Sequence, residues 1–183
     1  MDAALLAAIQ KISEAAVACE RSSACPGEML AAQCILESGY LKYAPGNNCF
    51  GIKSATASGQ LLRTSEWMTP VERDAFLKAK AGRTAVLDPA HIAPRNGRDK
   101  YIVEDWFATF ASLADCFKKR AEMFAKSPYT LAAGAFAADR DFPKLVRAIA
   151  MFYATSPDYA DQVLKIASMQ AVRDALAKAR SVT

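Results

Sequence analysis

The sequence predicts an α+β protein that is mainly α, in which a small α/β lobe at about residues 49–110 interrupts a helical core. Apolar residues recur at three-and-four spacing near both ends of the chain, as at Leu5, Ile9 and Ile12. Between these ends, turn-forming residues and segments rich in aromatic and β-branched side chains favour short strands. The length of 183 residues fits a single domain with at most a small second lobe.

The helical parts carry recognisable start and stop signals. The first helix is expected over about residues 2–20, and the second begins with Pro26 as its first residue and ends at Gly39, where a left-handed residue is favoured. Helices are also expected from residue 112 and from Pro143, and a last one from Thr155–Ser156–Pro157–Asp158, in which a hydroxyl caps the helix and a proline opens it.

The lobe should contain three strands and one short helix. The apolar or aromatic runs at residues 49–53, 61–68 and 101–110 are the candidate strands. Thr69–Pro70 is expected to open a helix through Lys80, and a Pro-rich charged loop follows it. No internal repeat occurs.

Composition and charge exclude several classes of protein. Apolar residues make up 52% of the chain, but the longest apolar stretches are far too short to span a bilayer. The net charge of +4 comes from scattered residues, and the only basic run, Lys118–Lys119–Arg120, is expected to be a solvated helix face. We therefore expect binding neither to nucleic acid nor to membranes. The N-terminal ten residues lack the basic segment of a signal peptide.

The cysteines predict neither a metal site nor a disulfide framework. The chain has five cysteines, an odd number, with no CxxC pair, and a single histidine, His91. We interpret the cysteines as small buried apolar residues. In an oxidising compartment Cys34 and Cys49 would be the pair able to tie a loop to the preceding helix.

Glu37 is the residue whose position suggests catalysis. It lies in the final turn of the second predicted helix, next to Leu36 and just before Ser38–Gly39. The carbonyl end of a helix disfavours a negative charge by about 0.3–1 kcal/mol, and apolar neighbours act in the same direction. Both effects favour the protonated carboxyl that a general acid needs. A surface glutamate with no function is the alternative that this position alone leaves open.

Three ordered blocks point to a known family. They read A-Q-C-I-L-E-S-G-Y at residues 32–40, N-N-C-F-G-I-K at residues 47–53 and Y-A-T-S-P-D-Y-A at residues 153–160. This order resembles the glucosaminidase domain of glycoside hydrolase family 73, whose pattern runs A-Q-x-x-x-E-S-G-W-G, N-x-F-G-I-K, T-x-E-Y and Y-A-T-D-P-x-Y. The resemblance covers about residues 27–167. In this chain Tyr40–Leu41 stands where Trp-Gly is usual, and Ser156 replaces Asp.

The resemblance implies a single glucosaminidase domain over residues 1–183, with a lysozyme-like helical core and a small β-lobe across a substrate cleft. It implies hydrolysis of the β-1,4 bond between N-acetylglucosamine and N-acetylmuramic acid, without cofactor or metal. Glu37 matches the general acid, Glu66 in the T-x-E-Y-like block at residues 64–67 matches the proposed second carboxylate, and Tyr153 matches a tyrosine that lines the cleft. Further candidates for substrate binding are Tyr40, Asn48, Phe50, Trp67 and Tyr159.

Alternatives stay open for the mechanism and for the reaction. Glu66 can act as a base, as a nucleophile or as a stabilising charge, or the acetamido group of the substrate can be the nucleophile. Glu72 and Asp74 compete with Glu66 for the second role. A lytic transglycosylase or muramidase of the same fold is the nearest rival, followed by a Cys/His cell-wall peptidase using His91 and by a non-catalytic wall-binding module.

The resemblance also suggests partners and location. Peptidoglycan glycan strands are the expected substrate, and we expect a monomer acting in the periplasm or cell wall. Without a signal peptide in this chain, export would follow a non-classical route or depend on a larger protein. An export system and an immunity-type inhibitor are then further candidate partners.

Overall fold

The computed structural model describes residues 2–153 and 158–182, in a chain that divides into two compact units. One unit is formed by Met1–Phe50 together with Phe110–Thr183, and the other by Gly51–Thr109. In chain order the helices are α1 (Ala3–Glu20), α2 (Gly27–Ser38), α3 (Pro70–Ala79), α4 (Leu113–Phe124), α5 (Thr130–Asp139), α6 (Phe142–Tyr153), α7 (Tyr159–Ala167) and α8 (Gln170–Ser181). None of the helices in the described ranges is long and apolar enough to cross a membrane.

The helical unit is built around α1 and α2. Helix α1 packs against α2, α4 and α8, and α2 also packs against α7. Asp2 caps α1 by accepting a hydrogen bond from the Leu5 backbone N–H at 2.8 Å, and Ser112 caps α4 in the same way. The interior is filled by fully buried side chains from these helices, among them Ile9, Ile12, Met29, Leu30, Phe117, Val163, Val172 and Leu176.

The second unit is a three-stranded antiparallel sheet with one helix. The strands are β1 (Gln60–Met68), β2 (Thr84–Leu87) and β3 (Asp99–Phe107), in the order β1-β3-β2. Met68, Tyr101 and Val103 form its buried cluster, against which Phe76 of α3 packs. Helix α3 starts with a reciprocal capping box between Thr69 and Glu72.

The predicted fold class is confirmed: within the described residues the chain is mainly helical and carries a small antiparallel sheet. The prediction of a strand over residues 49–53 is wrong, because Gly51 takes a left-handed φ of 61° and only a single bridge joins Lys53 to Phe107. Pro26 is the N-cap of α2 rather than its first residue, with an extended ψ of 139°.

Three further elements differ from the sequence prediction. The short strand β2 and the helix α5 were not expected, and the predicted last helix is two helices, because Met169 is extended between α7 and α8. The expected helix start at Thr155–Ser156–Pro157 lies outside the described residues. All five cysteines are free and buried, as the interpretation of them as small apolar residues predicted.

Candidate active site

Glu37 stands at the exposed C-terminal end of α2, where the chain turns sharply. The Ser38 hydroxyl donates to the Cys34 carbonyl at 2.6 Å and accepts from the Leu41 backbone N–H at 2.9 Å. Gly39 is left-handed, with φ 56°, as the sequence predicted for a helix C-cap. These contacts end the helix directly after Glu37 and leave its side chain exposed.

The turn after Glu37 contains two residues in an unfavourable conformation. Tyr40 and Leu41 follow Gly39 with φ values of 61° and 68°. A left-handed conformation costs an ordinary residue about 1–2 kcal/mol. The family pattern has glycine at the position of Leu41, and glycine would carry no such cost. This departure from the pattern is therefore accommodated as local strain beside the site.

Tyr159 joins Glu37 to the interior of the helical unit. Its hydroxyl donates to Oε1 of Glu37 at 3.1 Å and accepts from Nε2 of Gln33 at 2.9 Å. Burial raises the pKa of the Tyr159 hydroxyl well above its usual value, and Tyr153 and the Glu37 charge act in the same direction. Tyr159 therefore stays protonated and remains a donor to the Glu37 carboxyl. The direct substrate contact expected of Tyr159 from the sequence stays a prediction.

Tyr153, the last residue of α6, lies beside this pair. Its ring centroid is 5.2 Å from that of Tyr159, and the Arg120 guanidinium is 4.2 Å from the Tyr153 ring centroid. Burial and the nearby Glu37 raise the pKa of Tyr153 to about 12, although Arg120 opposes the shift. Tyr153 is thus a neutral phenol next to the candidate acid, and its part in catalysis stays a prediction.

Arg120 and Gln33 complete the cluster and were not singled out from the sequence. Arg120 is only 1% exposed, so the expectation that residues 118–120 form a solvated face is wrong for this residue, although Lys118 and Lys119 are exposed. The Arg120 guanidinium donates through Nε and Nη2 to Oε1 of Gln33, both at 3.3 Å. Gln33 could have been identified from the sequence, because it belongs to the A-Q-x-x-x-E-S-G pattern.

Glu66 lies on β1 in the second unit, within a small network of charges. The Lys53 ammonium contacts Oε1 of Glu66 at 3.1 Å and Oδ2 of Asp105 at 3.0 Å, and it lies 4.3 Å from the centroid of the Phe107 ring. Arg83 also pairs with Asp105. Lys53 belongs to the N-x-F-G-I-K block, so this ion pair joins two motifs found in the sequence. The Glu66 side chain is 42% exposed and accessible to a ligand.

The competing carboxylate Glu72 is occupied by structural contacts. It pairs with Arg98 at 2.6 Å and closes the capping box with Thr69. The Arg98 and Thr69 contacts lower the pKa of Glu72 to about 2. Asp74 pairs with Arg73 at 2.7 Å. Both residues have local contacts in or beside α3, whereas the Glu66 side chain contacts Lys53 alone among the described residues.

The remaining candidates for substrate binding differ in accessibility. Trp67 is 39% exposed on β1 and meets the His91 ring edge-on at 5.8 Å. Tyr40 is half-buried, and its hydroxyl is 4.0 Å from the Met169 sulfur. Asn48 is buried, and Phe50 is buried edge-on against Phe117 at 5.0 Å. Substrate contacts by Asn48 and Phe50 stay predictions that their burial disfavours.

The described residues offer little support for peptidase or metal chemistry. The His91 ring pairs with Asp99 at 2.9 Å. The cysteine thiols are buried, and the contact with Cys49 and burial raise the pKa of Cys116 far above its usual value, away from a reactive thiolate. No group of three metal-ligating side chains comes together in residues 2–153 and 158–182.

Comparison with solved structures shows that this fold occurs in bacterial wall hydrolases. The structure is similar to the catalytic domain of the autolysin Auto from Listeria monocytogenes, with a TM-score of 0.66, 18% identity and coverage of 94% of this chain and 88% of that one. It is similar to a peptidoglycan hydrolase from Sphingomonas sp. A1, with a TM-score of 0.63, 22% identity and coverage of 97% of both chains. The glycoside hydrolase domain of FlgJ from Salmonella typhimurium gives a TM-score of 0.58 at 19% identity, covering 99% of this chain and 96% of that one.

Comparison of the sequence gives the family. No curated protein matches this chain in sequence. A family model described as mannosyl-glycoprotein endo-beta-N-acetylglucosaminidase matches residues 13–171, which include Glu37, Glu66 and Tyr153. The match confirms the resemblance that the three motif blocks indicated, and the chain belongs to the glucosaminidase family.

Proposed function

We propose that the protein is an endo-β-N-acetylglucosaminidase of peptidoglycan, which hydrolyses the β-1,4 bond between N-acetylglucosamine and N-acetylmuramic acid. The observation that carries this proposal is the exposed Glu37 carboxyl at the end of α2, with Tyr159 donating to its Oε1 at 3.1 Å. The similar structures from Listeria and Sphingomonas are named as an autolysin and a peptidoglycan hydrolase, which supports a glycan strand of the cell wall as the substrate.

Glu37 has the surroundings of a general acid. Its side chain lies in the last turn of α2, at the carbonyl end of the helix. When the proton passes to the leaving oxygen, the Glu37 carboxylate forms, and the Tyr159 hydroxyl already donates to it. A donor that is in place before the charge develops stabilises the transition state without reorganisation. The proton goes to the glycosidic oxygen, and the C–O bond to the sugar breaks.

Glu66 is the proposed second carboxylate. Its Oε1 contacts the Lys53 ammonium at 3.1 Å, and its exposed carboxyl group suits a residue that activates water or balances positive charge on the sugar. Tyr153 is proposed to orient the N-acetyl group near Glu37. If that acetamido oxygen is the nucleophile, the contribution of Glu66 becomes smaller, and comparison of Glu66 and Tyr153 variants distinguishes the two routes.

The proposed substrate sets the place of action and the partners. We propose that the protein acts in the cell wall or periplasm, where glycan strands are found, and that it acts as a monomer. An enzyme that acts there needs an export system, and an enzyme that lyses cells is commonly matched by an inhibitor in the cell that makes it. We include both as proposed partners.

The experiment is digestion of purified peptidoglycan, followed by mass spectrometry of the reduced products. N-acetylglucosamine at the new reducing ends supports the proposal. Muramic acid at those ends would indicate a muramidase, anhydro-muramic ends a lytic transglycosylase, and cleaved peptides a peptidase. Intact glycan with the wild-type chain, under conditions where lysozyme cleaves it, would refute a hydrolytic function.

A further inference from the structure

The feature that the proposed reaction does not explain is the buried charge of Arg120. Its side chain is 1% exposed, and no carboxylate pairs with it in the part of the chain that the structure describes. Burying a cation is costly unless polar or aromatic groups compensate for it. Here the compensation comes from the faces of Tyr153 and Phe124, at 4.2 and 4.5 Å, and from the amide oxygen of Gln33. An apolar side chain would fill the same space without that cost.

Arg120 determines which way the Gln33 amide faces. Every polar hydrogen-bonding group of a guanidinium is a donor, so only the amide oxygen of Gln33 can meet it. Both Nε and Nη2 of Arg120 contact Oε1 of Gln33 at 3.3 Å. The amide nitrogen must then point the other way, toward the Tyr159 hydroxyl at 2.9 Å. The orientation of the Gln33 amide is therefore fixed by the fact that Arg120 can only donate hydrogen bonds.

The hydrogen bonds keep the same donor-to-acceptor direction from Gln33 through Tyr159 to Glu37. The Tyr159 oxygen accepts the Gln33 N–H, so its single proton is directed to Oε1 of Glu37 at 3.1 Å. In a protonated carboxyl the carbonyl oxygen is a better acceptor than the hydroxyl oxygen, so this bond favours Oε1 as the carbonyl oxygen. The Tyr159 bond therefore favours Oε2 as the oxygen that holds the Glu37 proton.

We propose that Arg120 is a positioning residue that fixes, through Gln33 and Tyr159, which oxygen of Glu37 holds the catalytic proton. The inference rests on the proposed role of Glu37 as general acid. The chain of bonds has one polarity because its first member can only donate, and each bond polarises the next. The effect on Glu37 is directional and needs no contact between Arg120 and the substrate.

Two substitutions of Gln33 separate positioning from structural support. In Gln33→Glu, the new carboxylate pairs with Arg120. It also accepts the hydrogen bond from the Tyr159 hydroxyl, so Glu37 loses this donor. In Gln33→Met, Arg120 loses its partner, but Tyr159 is free to donate to Glu37. Positioning therefore predicts that Gln33→Glu is the more stable and the less active variant. A merely structural role predicts that activity follows stability, with Gln33→Met the worse in both.

The assay measures kcat, KM and the pH profile on peptidoglycan fragments, with thermal unfolding as the measure of stability. Gln33→Glu should lower kcat about 10- to 100-fold with KM changed less than about twofold, and should move the alkaline limb of kcat/KM to higher pH. Lys119→Met, at an exposed neighbour on α4, is the control and should match the wild type in both measures.

A double variant makes the test independent of either Gln33 variant folding poorly. Tyr159→Phe removes only the hydroxyl and should reproduce the loss in kcat. Adding Gln33→Glu to it should cause no further loss, because both changes break one chain of bonds. The inference would be overturned if the losses in kcat of the two single variants multiply in the double variant. It would also be overturned by a folded Gln33→Glu variant with the kcat and pH profile of the wild type. In both cases an active wild type leaves the proposed function standing. An inactive wild type would instead count against the proposed function.

Discussion

Replacing Glu66 with glutamine tests the second carboxylate, because the structure predicts very different effects on stability and on turnover. The side chain is 42% exposed, and within residues 2–153 and 158–182 its one charged partner is Lys53. An ion pair this exposed contributes about 0.2–1 kcal/mol to folding. If Glu66 acts on water or on the charged sugar, turnover should fall about 100-fold or more, which corresponds to about 2.7 kcal/mol in the barrier. Loss of stability is too small to explain a loss of activity of that size.

The matched control is Glu72→Gln. Glu72 closes the α3 capping box and pairs with Arg98 at 2.6 Å, so its replacement should lower the unfolding temperature of the lobe at least as much as Glu66→Gln does. Turnover should remain close to wild type. The assay compares initial rates on purified peptidoglycan with thermal unfolding of the same samples.

Two outcomes would refute this reasoning about the lobe. A strong loss with Glu72→Gln and a weak loss with Glu66→Gln would show that the T-x-E-Y block was matched to the wrong carboxylate. Weak effects from both would remove Glu66 from the chemistry and favour the substrate acetamido group as nucleophile.

Three further substitutions test the remaining assignments. Glu37→Gln should keep the fold and lower kcat about 10²–10⁴-fold, because the amide cannot deliver a proton; unfolding or near wild-type activity would refute the role. Tyr153→Phe should lower kcat about tenfold, the value of one lost hydrogen bond, with little change in thermal unfolding; an unchanged kcat would make Tyr153 a packing residue only. Burial raises the pKa of Asp105, but hydrogen bonds from Arg83 and Lys53 outweigh this effect and hold the pKa below its usual value. The stability that these hydrogen bonds contribute is therefore present at neutral pH, and it is lost as the pH falls through the lowered pKa. Lys53→Met should therefore cost about 1 kcal/mol at pH 7 and less under acid conditions, measured by urea unfolding; an equal cost at both would contradict the ion pair.

The sequence was most informative where local chemistry alone decides the structure. Gly39 ends α2, and Thr69–Pro70 with Glu72 starts α3, because caps and left-handed residues act within a single turn. The strand β1 alternates exposed and less exposed residues, as a half-buried strand should. Residues 49–53 misled the interpretation because the pattern Cys-Phe-Gly-Ile-Lys has strand-like side chains, while the conformation of Gly51 is not visible in composition.

Some side chains of the candidate site could be identified from the sequence, and others could not. Glu37, Glu66 and Tyr153 stand inside motif blocks and could be proposed from the sequence, whereas Arg120 could not. A basic run on a helix is usually solvated, and only the packing of α4 in the helical unit shows that the third residue of the run faces inward. Helical spacing predicts a face, but not what lies opposite to it.

The buried arginine also bears on why Gln33 belongs to the motif while its partner does not. Gln33 sits four residues before Glu37, on the same side of α2, so one turn of helix fixes the relation between them. Arg120 comes from a separate helix, 87 residues further along the chain, and any cation that reaches the amide oxygen would orient it equally well. A sequence motif therefore contains those site residues whose relative positions one helix fixes. Arg120, the donor that sets the direction of the hydrogen bonds, can be identified only from the folded structure.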